Sequence, residues 1–231
     1  HLLGLPNIIG LITLADAKTG APLAVLDSVE ISRIRTGAAT AVAAQRLARH
    51  NSSIATVFGS GKQARIQIEA LCHVLPLKEV RIISRNIERA ETCARDITKQ
   101  CGIKAKAWTD KASSLSDSDV IVCCTLSTTA LFEENWVKAG TFIAAVGADS
   151  PGKQELPASL LANNTVVADI KSQCIRVGDL QHAISLGLMQ EADVYAELGQ
   201  VLNGDRLGRQ SESEITIYDS TGTALQDVAV G

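Results

Sequence analysis

The residues from Ile54 to Ala64, IATVFGSGKQA, constrain the fold of this chain more than any other stretch. Ile54 to Phe58 fit a short buried strand. Gly59, Gly61 and Ala64 follow with the spacing G-x-G-x-x-A, after which the sequence takes up a helical period to Leu75. Each small residue answers a steric demand. Gly59 permits the tight turn out of the strand, Gly61 lets backbone approach a pyrophosphate, and Ala64 lets the helix lie close to the strand. The free N–H groups at the helix start then face the phosphates, with the positive end of the helix dipole behind them. A dinucleotide fits this turn, with Gly59, Ser60, Gly61, Lys62 and Gln63 as its contacts.

The sequence around the fingerprint decides whether it is a binding site or an ordinary turn. Apolar runs at 80–84, 103–108, 120–124, 141–146 and 165–168 read as five more strands, and 87–100 as a helix between two of them. Near-continuous apolar strands separated by helices imply an α/β fold with a doubly wound parallel sheet covered on both faces. Before this unit, the apolar segments 8–15 and 22–27 are joined by a Thr-Gly turn and predict an antiparallel hairpin. From Ser28 to His50 the period is helical, and Asp27 with Glu30 resembles a capping box. Residues 178–207 read as helical and polar, and Ile215 to Tyr218 as a short strand. The expected organisation is part of a second, smaller domain over 1–50, the dinucleotide-binding domain over 51–210, and a segment over 211–231 that returns to the smaller domain.

Composition excludes several functions. With 231 residues, 46% of them hydrophobic, the chain can bury a sizeable core. A net charge of −3 and an aromatic content of 3% give no basis for a nucleic-acid partner. No apolar run reaches the roughly 18 residues of a membrane span. The six cysteines (72, 93, 101, 123, 124 and 174) show neither a C-x-x-C pair nor a metal-ligand spacing with histidine. A reducing cytoplasm and no metal are the expectation. The single methionine is Met189, so the chain is read as part of a longer one.

Ligands of such a sheet bind beyond the carboxyl ends of its strands. Ser84-Arg85-Asn86 ends the second strand there, where an acid would hold the ribose 2′-hydroxyl of NAD. No acid is present. A serine and an arginine suit a 2′-phosphate, which favours NADP(H) over NAD(H), although Arg85 also fits the plain start of a helix. Thr125 and Ser127 belong to a hydroxyl-rich loop that can cover a cofactor. Asp149 would lie at the mouth of the sheet, where it is either a turn residue or a proton-relaying carboxylate. Arg35-Thr36-Gly37 places a glycine inside a helix, which points to close approach by another backbone or by a ligand. Arg35 itself also fits a solvated surface position.

Five motifs occur in one order: Arg35-Thr36-Gly37-Ala38-Ala39, the Gly59 fingerprint, Gly147-Ala148-Asp149-Ser150-Pro151-Gly152-Lys153, Gly178-Asp179-Leu180 and Asp219-Ser220-Thr221-Gly222. In this the chain resembles the ornithine cyclodeaminase/mu-crystallin family over essentially its whole length. The resemblance implies a Rossmann-type domain that binds NAD(P) beside a substrate and dimerisation domain, and a homodimer. It implies that Arg35 grips a substrate carboxylate, that Asp149 relays a proton, and that Lys153 lies near the cofactor. Thr125 and Ser127 then line the cofactor, and Ser220 falls by its nicotinamide end. Members carry further residues on both sides of the matched region, including a lysine and other basic groups that contact substrate. The activity it implies is NADPH-dependent reduction of a small cyclic imino acid such as Δ1-pyrroline-2-carboxylate. Ornithine cyclodeaminase is the alternative, and a non-catalytic, crystallin-like NADP-binding protein a further one.

Overall fold

The computed structural model describes residues 9–230. β1 (Leu11–Ala15) and β2 (Pro22–Asp27) form the expected antiparallel hairpin. Residue 8, where that hairpin was expected to begin, lies outside the described residues. Asp16 closes the turn by accepting from the N–H groups of Lys18 and Thr19. The hairpin stands apart from the main sheet and leaves Leu11, Leu23 and Val25 exposed. α1 (Val29–Leu47) follows. Asp27 accepts from the Val29 N–H at its start, but Glu30 turns to Arg33, 2.7 Å away, so the capping box does not form.

The main sheet is built from β3 (Ile54–Phe58), β4 (Glu79–Ile83), β5 (Lys104–Trp108), β6 (Val120–Cys123), β7 (Phe142–Ala145), β8 (Thr165–Ala168), β9 (Ala196–Glu197) and β10 (Thr216–Asp219). Its order is β5-β4-β3-β6-β7-β10-β8-β9, and every pair is parallel. The helices are α2 (Lys62–Cys72), α3 (Ile87–Cys101), α4 (Lys111–Leu115), α5 (Ala158–Ala162), α6 (Lys171–Val177), α7 (Leu180–Ser185), α8 (Leu198–Asn203) and α9 (Ala224–Val230).

Alternation along each strand explains why the strands are apolar throughout. Val120 and Val122 of β6 pack with Leu47 of α1 and Ala64 and Ile68 of α2, on one face. Ile121 and Cys123 of the same strand pack with Leu156, Leu160 and Leu180 on the other. Each fully buried Leu or Ile in these layers stabilises by about 1.5–3 kcal/mol. Gly37 has its explanation here: a Cβ would lie 2.9 Å from the Ile66 carbonyl oxygen, so glycine lets α1 press against α2.

Two further expectations differ from the structure. The segment expected to return to the smaller domain begins with β10, which enters the middle of the main sheet between β7 and β8 before α9 packs on α1. Its Ile217 and Tyr218 are fully buried, and burial on both faces outweighs its late position in the chain. The stretch 178–207 is not continuously helical. Gly187 takes a left-handed conformation (φ 69°) after α7, and β9 joins the sheet edge before α8 begins.

At the amino edge of the sheet, Asp119 accepts from the N–H groups of Ser53 and Ile54 (2.8 and 3.1 Å), and pairs with Arg49 (2.6 Å) and Lys138 (2.9 Å). Burial alone would raise its pKa, but the Ser53 donor, Lys138 and the Ile54 donor together hold it below the usual carboxylate value. Among the described residues no helix is long and apolar enough to cross a membrane.

Candidate active site

The carboxyl edge of the sheet gathers the singled-out residues into one row. Reading across it, Ser84 follows β4, Gly59 follows β3, Thr125 follows β6, Gly147 follows β7, Ser220 follows β10 and Asp169 follows β8. Strand order reverses direction between β3 and β6, and a crevice at that switch point is where such sheets take ligands. The fingerprint sits at its rim. Gly59 has φ +122° and donates to the Ile83 carbonyl at 2.9 Å. A Cβ on Gly59 would meet the Cys124 sulfur at 2.9 Å, so this glycine is required by the protein's own packing. Gly61 caps α2 and has ordinary backbone angles, with no atom within 4 Å of where a Cβ would stand. That open space beside the first N–H groups of α2 fits a pyrophosphate.

The neighbouring residues support the turn from below. Arg65 donates to the carbonyls of Ser60 and Gly61 (2.8 and 2.9 Å) and pairs with Asp96 at 2.7 Å, fixing the turn's carbonyls away from the crevice. Lys62, the first residue of α2, is exposed, and Gln63 is half-buried. Ser60 and Ser84 share a hydroxyl–hydroxyl bond of 2.9 Å, which joins the turn to the end of β4. Arg85 is exposed, and no ion pair engages it among the described residues. Asn86 caps α3 by accepting from the Arg89 N–H at 2.9 Å, which gives it a structural task in this structure.

Beyond the switch point, the loops after β6 and β7 are bound to each other through Glu155. Its Oε1 accepts from the Thr125 N–H (2.5 Å) and hydroxyl (2.7 Å), and its Oε2 from the Gly147 N–H (2.8 Å). Ser127 holds the same loop by bonding to the Thr129 carbonyl at 2.7 Å. Asp149 is exposed and forms an ion pair with Lys153 at 2.5 Å; both project from the loop after β7. A carboxylate and an ammonium so placed offer a substrate one proton acceptor and one donor.

Glu155 is the first of three buried acids. Asp179 accepts from the N–H groups of Glu155 and Leu156 (2.8 and 2.9 Å), and Asp219 from those of Asp179 and Leu180 (3.3 and 3.0 Å). Burial, and then the charge of Asp179, push Glu155 up to about 8 against the pull of the Thr125 and Gly147 donors. Burial and the neighbouring Asp179 likewise raise Asp219 well above the usual carboxylate range. The Gly178-Asp179-Leu180 and Asp219 motifs therefore have a shared physical role. They lock the segment carrying Glu155 under the two loops.

At the far end of the row, Ser220 is buried, donates its N–H to the Ala145 carbonyl at the end of β7 (2.9 Å), and donates its hydroxyl to Asp169 at 2.9 Å. Asp169 also accepts from the Gly222 N–H at 2.7 Å. Arg35 of α1 lies against Gly222, where any Cβ would strike its guanidinium. It pairs with Asp227 and bonds Gln226, both of α9, each at 3.1 Å. The surface reading of Arg35 does not hold, because its side chain is only 15% exposed.

Sequence reasoning missed Arg65, Glu155 and Asp169. The only local sign of Glu155 is an acid just before the apolar Leu156, and its partners lie 8 and 30 residues away.

Comparison with known proteins places this geometry. The model of the ornithine cyclodeaminase/mu-crystallin family matches residues 1–231. A Δ1-pyrroline-2-carboxylate reductase of Bacillus cereus is 38% identical over 99% of this chain and 70% of its own length. The solved structure of the Thermococcus litoralis Δ1-pyrroline-2-carboxylate reductase in complex with NADH and L-proline superposes with a TM-score of 0.94 at 32% identity, over 98% of this chain and 70% of that one. An archaeal alanine dehydrogenase dimer with bound NAD gives the same TM-score, 0.94, at 40% identity and the same coverage, 98% and 70%. With the fingerprint, the sheet order and the match over the whole chain in agreement, the protein belongs to the ornithine cyclodeaminase/mu-crystallin family and is an enzyme of that family, an NAD(P)-dependent oxidoreductase or cyclodeaminase.

Proposed function

We propose that the protein reduces a small cyclic imino acid of the Δ1-pyrroline-2-carboxylate type, using NADPH. The observation that carries this reading is the Asp149–Lys153 pair on the loop after β7, one strand from Ser220 and on the same sheet edge as the glycine turn. The nicotinamide supplies a hydride when bound, and Gly59 to Gln63, with Thr125 and Ser127, are the residues that would hold the dinucleotide. Asp149, or a water it holds, delivers the proton that the reduced nitrogen needs, and Lys153 keeps that carboxylate in place. Arg35 binds the substrate's carboxylate; in support, its guanidinium already takes the carboxylate of Asp227. Positioning and fixed charge provide most of the acceleration. The two reductases among the relatives support an imino acid as substrate.

The preference for NADPH rests on Ser84 and the unengaged Arg85, while the two solved relatives hold NADH and NAD. A homodimer is proposed from the exposed Leu11, Leu23 and Val25 of the hairpin, and the six free cysteines fit a cytoplasmic setting.

The test follows absorbance of the reduced cofactor with Δ1-pyrroline-2-carboxylate. The parent protein is expected to favour NADPH over NADH, and Arg85→Asp to remove that preference, a change of about tenfold to hundredfold for a lost charge-assisted contact of ~1.5–3 kcal/mol. A parent that favours NADH overturns the cofactor assignment. Proline and ammonia formed from ornithine, with no NADPH oxidation on the imine, overturn the reductase assignment in favour of a cyclodeaminase.

A further inference from the structure

The loop from Gly147 to Glu155 bears both Asp149 and Lys153, and it is closed by a side chain of its own. The Glu155 carboxyl turns back and accepts from the Gly147 N–H that begins the loop, at 2.8 Å. The same carboxyl spans to the loop after β6 by accepting from the Thr125 N–H and hydroxyl. Gly147 is built for this approach, since a Cβ there would lie 2.5 Å from the Thr125 carbonyl oxygen and 2.6 Å from Glu155 Oε1. The backbone on the far side is fastened as well. Gln154 donates to the Ser127 carbonyl (2.9 Å) and Leu131 to the Glu155 carbonyl (2.8 Å), while Asp179 takes the N–H groups of Glu155 and Leu156. Glu155 is fully buried, so no solvent replaces these bonds if they are lost.

We propose that Glu155 is a positioning residue: by closing the 147–155 loop and tying it to Thr125, it sets where Asp149 and Lys153 stand at the mouth of the crevice. This rests on the reading of Asp149 and Lys153 as the groups that serve the reaction. The carboxyl is matched to three donors, two of them backbone N–H groups that no substitution removes. A glutamine at 155 presents an NH2 to one or other of those N–H groups, whichever way its amide turns, so one backbone donor loses its acceptor and the closure loosens.

The experiment compares the parent protein with Glu155→Gln and Thr125→Val by amide hydrogen exchange and by steady-state kinetics. In Glu155→Gln, exchange of the Thr125, Gly147 and Gln154 amides, which are bonded across the loop closure, is expected to rise at least about tenfold, with that of α2 unchanged, because local opening exposes only the loosened unit. A fall in kcat of up to about hundredfold is expected, as for a ~1 Å displacement of a reacting group, with a smaller change in the cofactor KM, because the glycine turn is untouched and only the Thr125 side of the cofactor is loosened. Thr125→Val removes the hydroxyl's bond to Glu155 and the acceptor of the Ser127 N–H, but leaves Glu155 accepting from both backbone N–H groups, so a smaller shift in the same direction is expected. Its loop exchange decides the matter where Glu155→Gln does not fold. Loop exchange at the parent rate in a folded variant overturns the inference, as does a kcat at the parent value accompanied only by a lower melting temperature. A parent protein that turns over no imino acid defeats the functional reading instead, and the exchange result then judges Glu155 alone.

Discussion

The two glycines of the fingerprint, two residues apart, should fail in opposite ways when each is replaced by alanine. At Gly59 the backbone has φ +122°, and a methyl group would press on the sulfur and carbonyl of Cys124 at 2.9 and 3.0 Å. A side chain in that backbone region costs about 1–3 kcal/mol and overpacking against a fixed strand end a similar amount. The reduced freedom of the unfolded chain returns only ~0.4–1 kcal/mol, which leaves Gly59→Ala destabilised by about 3 kcal/mol. Gly61 has φ −84° and open space around it, so the only fold-level losses are those of a helix-capping glycine. Those are offset by the same unfolded-state term, and Gly61→Ala should unfold within about 0.5 kcal/mol of the parent. Its defect is confined to the ligand, because the methyl group occupies the space a pyrophosphate would enter. Affinity for the reduced dinucleotide should drop by at least about tenfold, or ~1.4 kcal/mol. Urea denaturation read by circular dichroism measures the first quantity, and calorimetric titration with NADPH and NADH the second. Equal loss of stability in both variants, or parental affinity in Gly61→Ala, refutes the division of roles.

Two more outcomes follow from the polar groups at opposite edges of the sheet. Asp119→Ala leaves the Ser53 and Ile54 N–H groups and the Arg49 guanidinium without their acceptor, and should cost about 2–4 kcal/mol in urea denaturation while cofactor affinity stays at the parent value; a loss below ~1 kcal/mol contradicts this. Glu155 binds a proton more tightly folded, near 8, than unfolded, near 4.5, so between those values the native state holds more protons and stability falls as pH rises. The slope from this one group approaches about 1.4 kcal/mol per pH unit, and Glu155→Gln should remove it. An unchanged slope in the variant contradicts the assignment.

Much of the architecture was legible because it depends on local pattern. In the main sheet, the strands at Ile54 and Thr165 have the expected bounds, and those expected at 80–84, 103–108, 120–124, 141–146 and 215–218 differ by one residue at one end or both, since a buried parallel strand requires a continuous apolar run. Gly37 was legible as a close approach but not as to what approaches, because Ile66 lies on another helix. The position of β10 was hidden for the same reason: the apolar run Ile215-Thr216-Ile217-Tyr218 says that a strand forms, and nothing in it says which neighbours it pairs with. At the site, Asp149 and Lys153 could be placed from their turn, whereas Glu155 acts only through backbone donors of two distant loops. Such donors carry no side-chain signature in a sequence.

The insertion of β10 also dictates an order of events during biosynthesis. The half-sheet β5-β4-β3-β6-β7 has all its strands within the chain made before residue 146, and can consolidate as that portion emerges. β8 and β9 cannot follow, because the strand that joins them to β7 is translated after both of them. Until Thr216–Asp219 arrives, β7 presents an open, apolar edge to the cell, a surface that invites pairing with other chains. Nascent chains of this protein therefore hold the sheet open at its centre while the stretch from β7 to β10 is made, and one four-residue strand closes it.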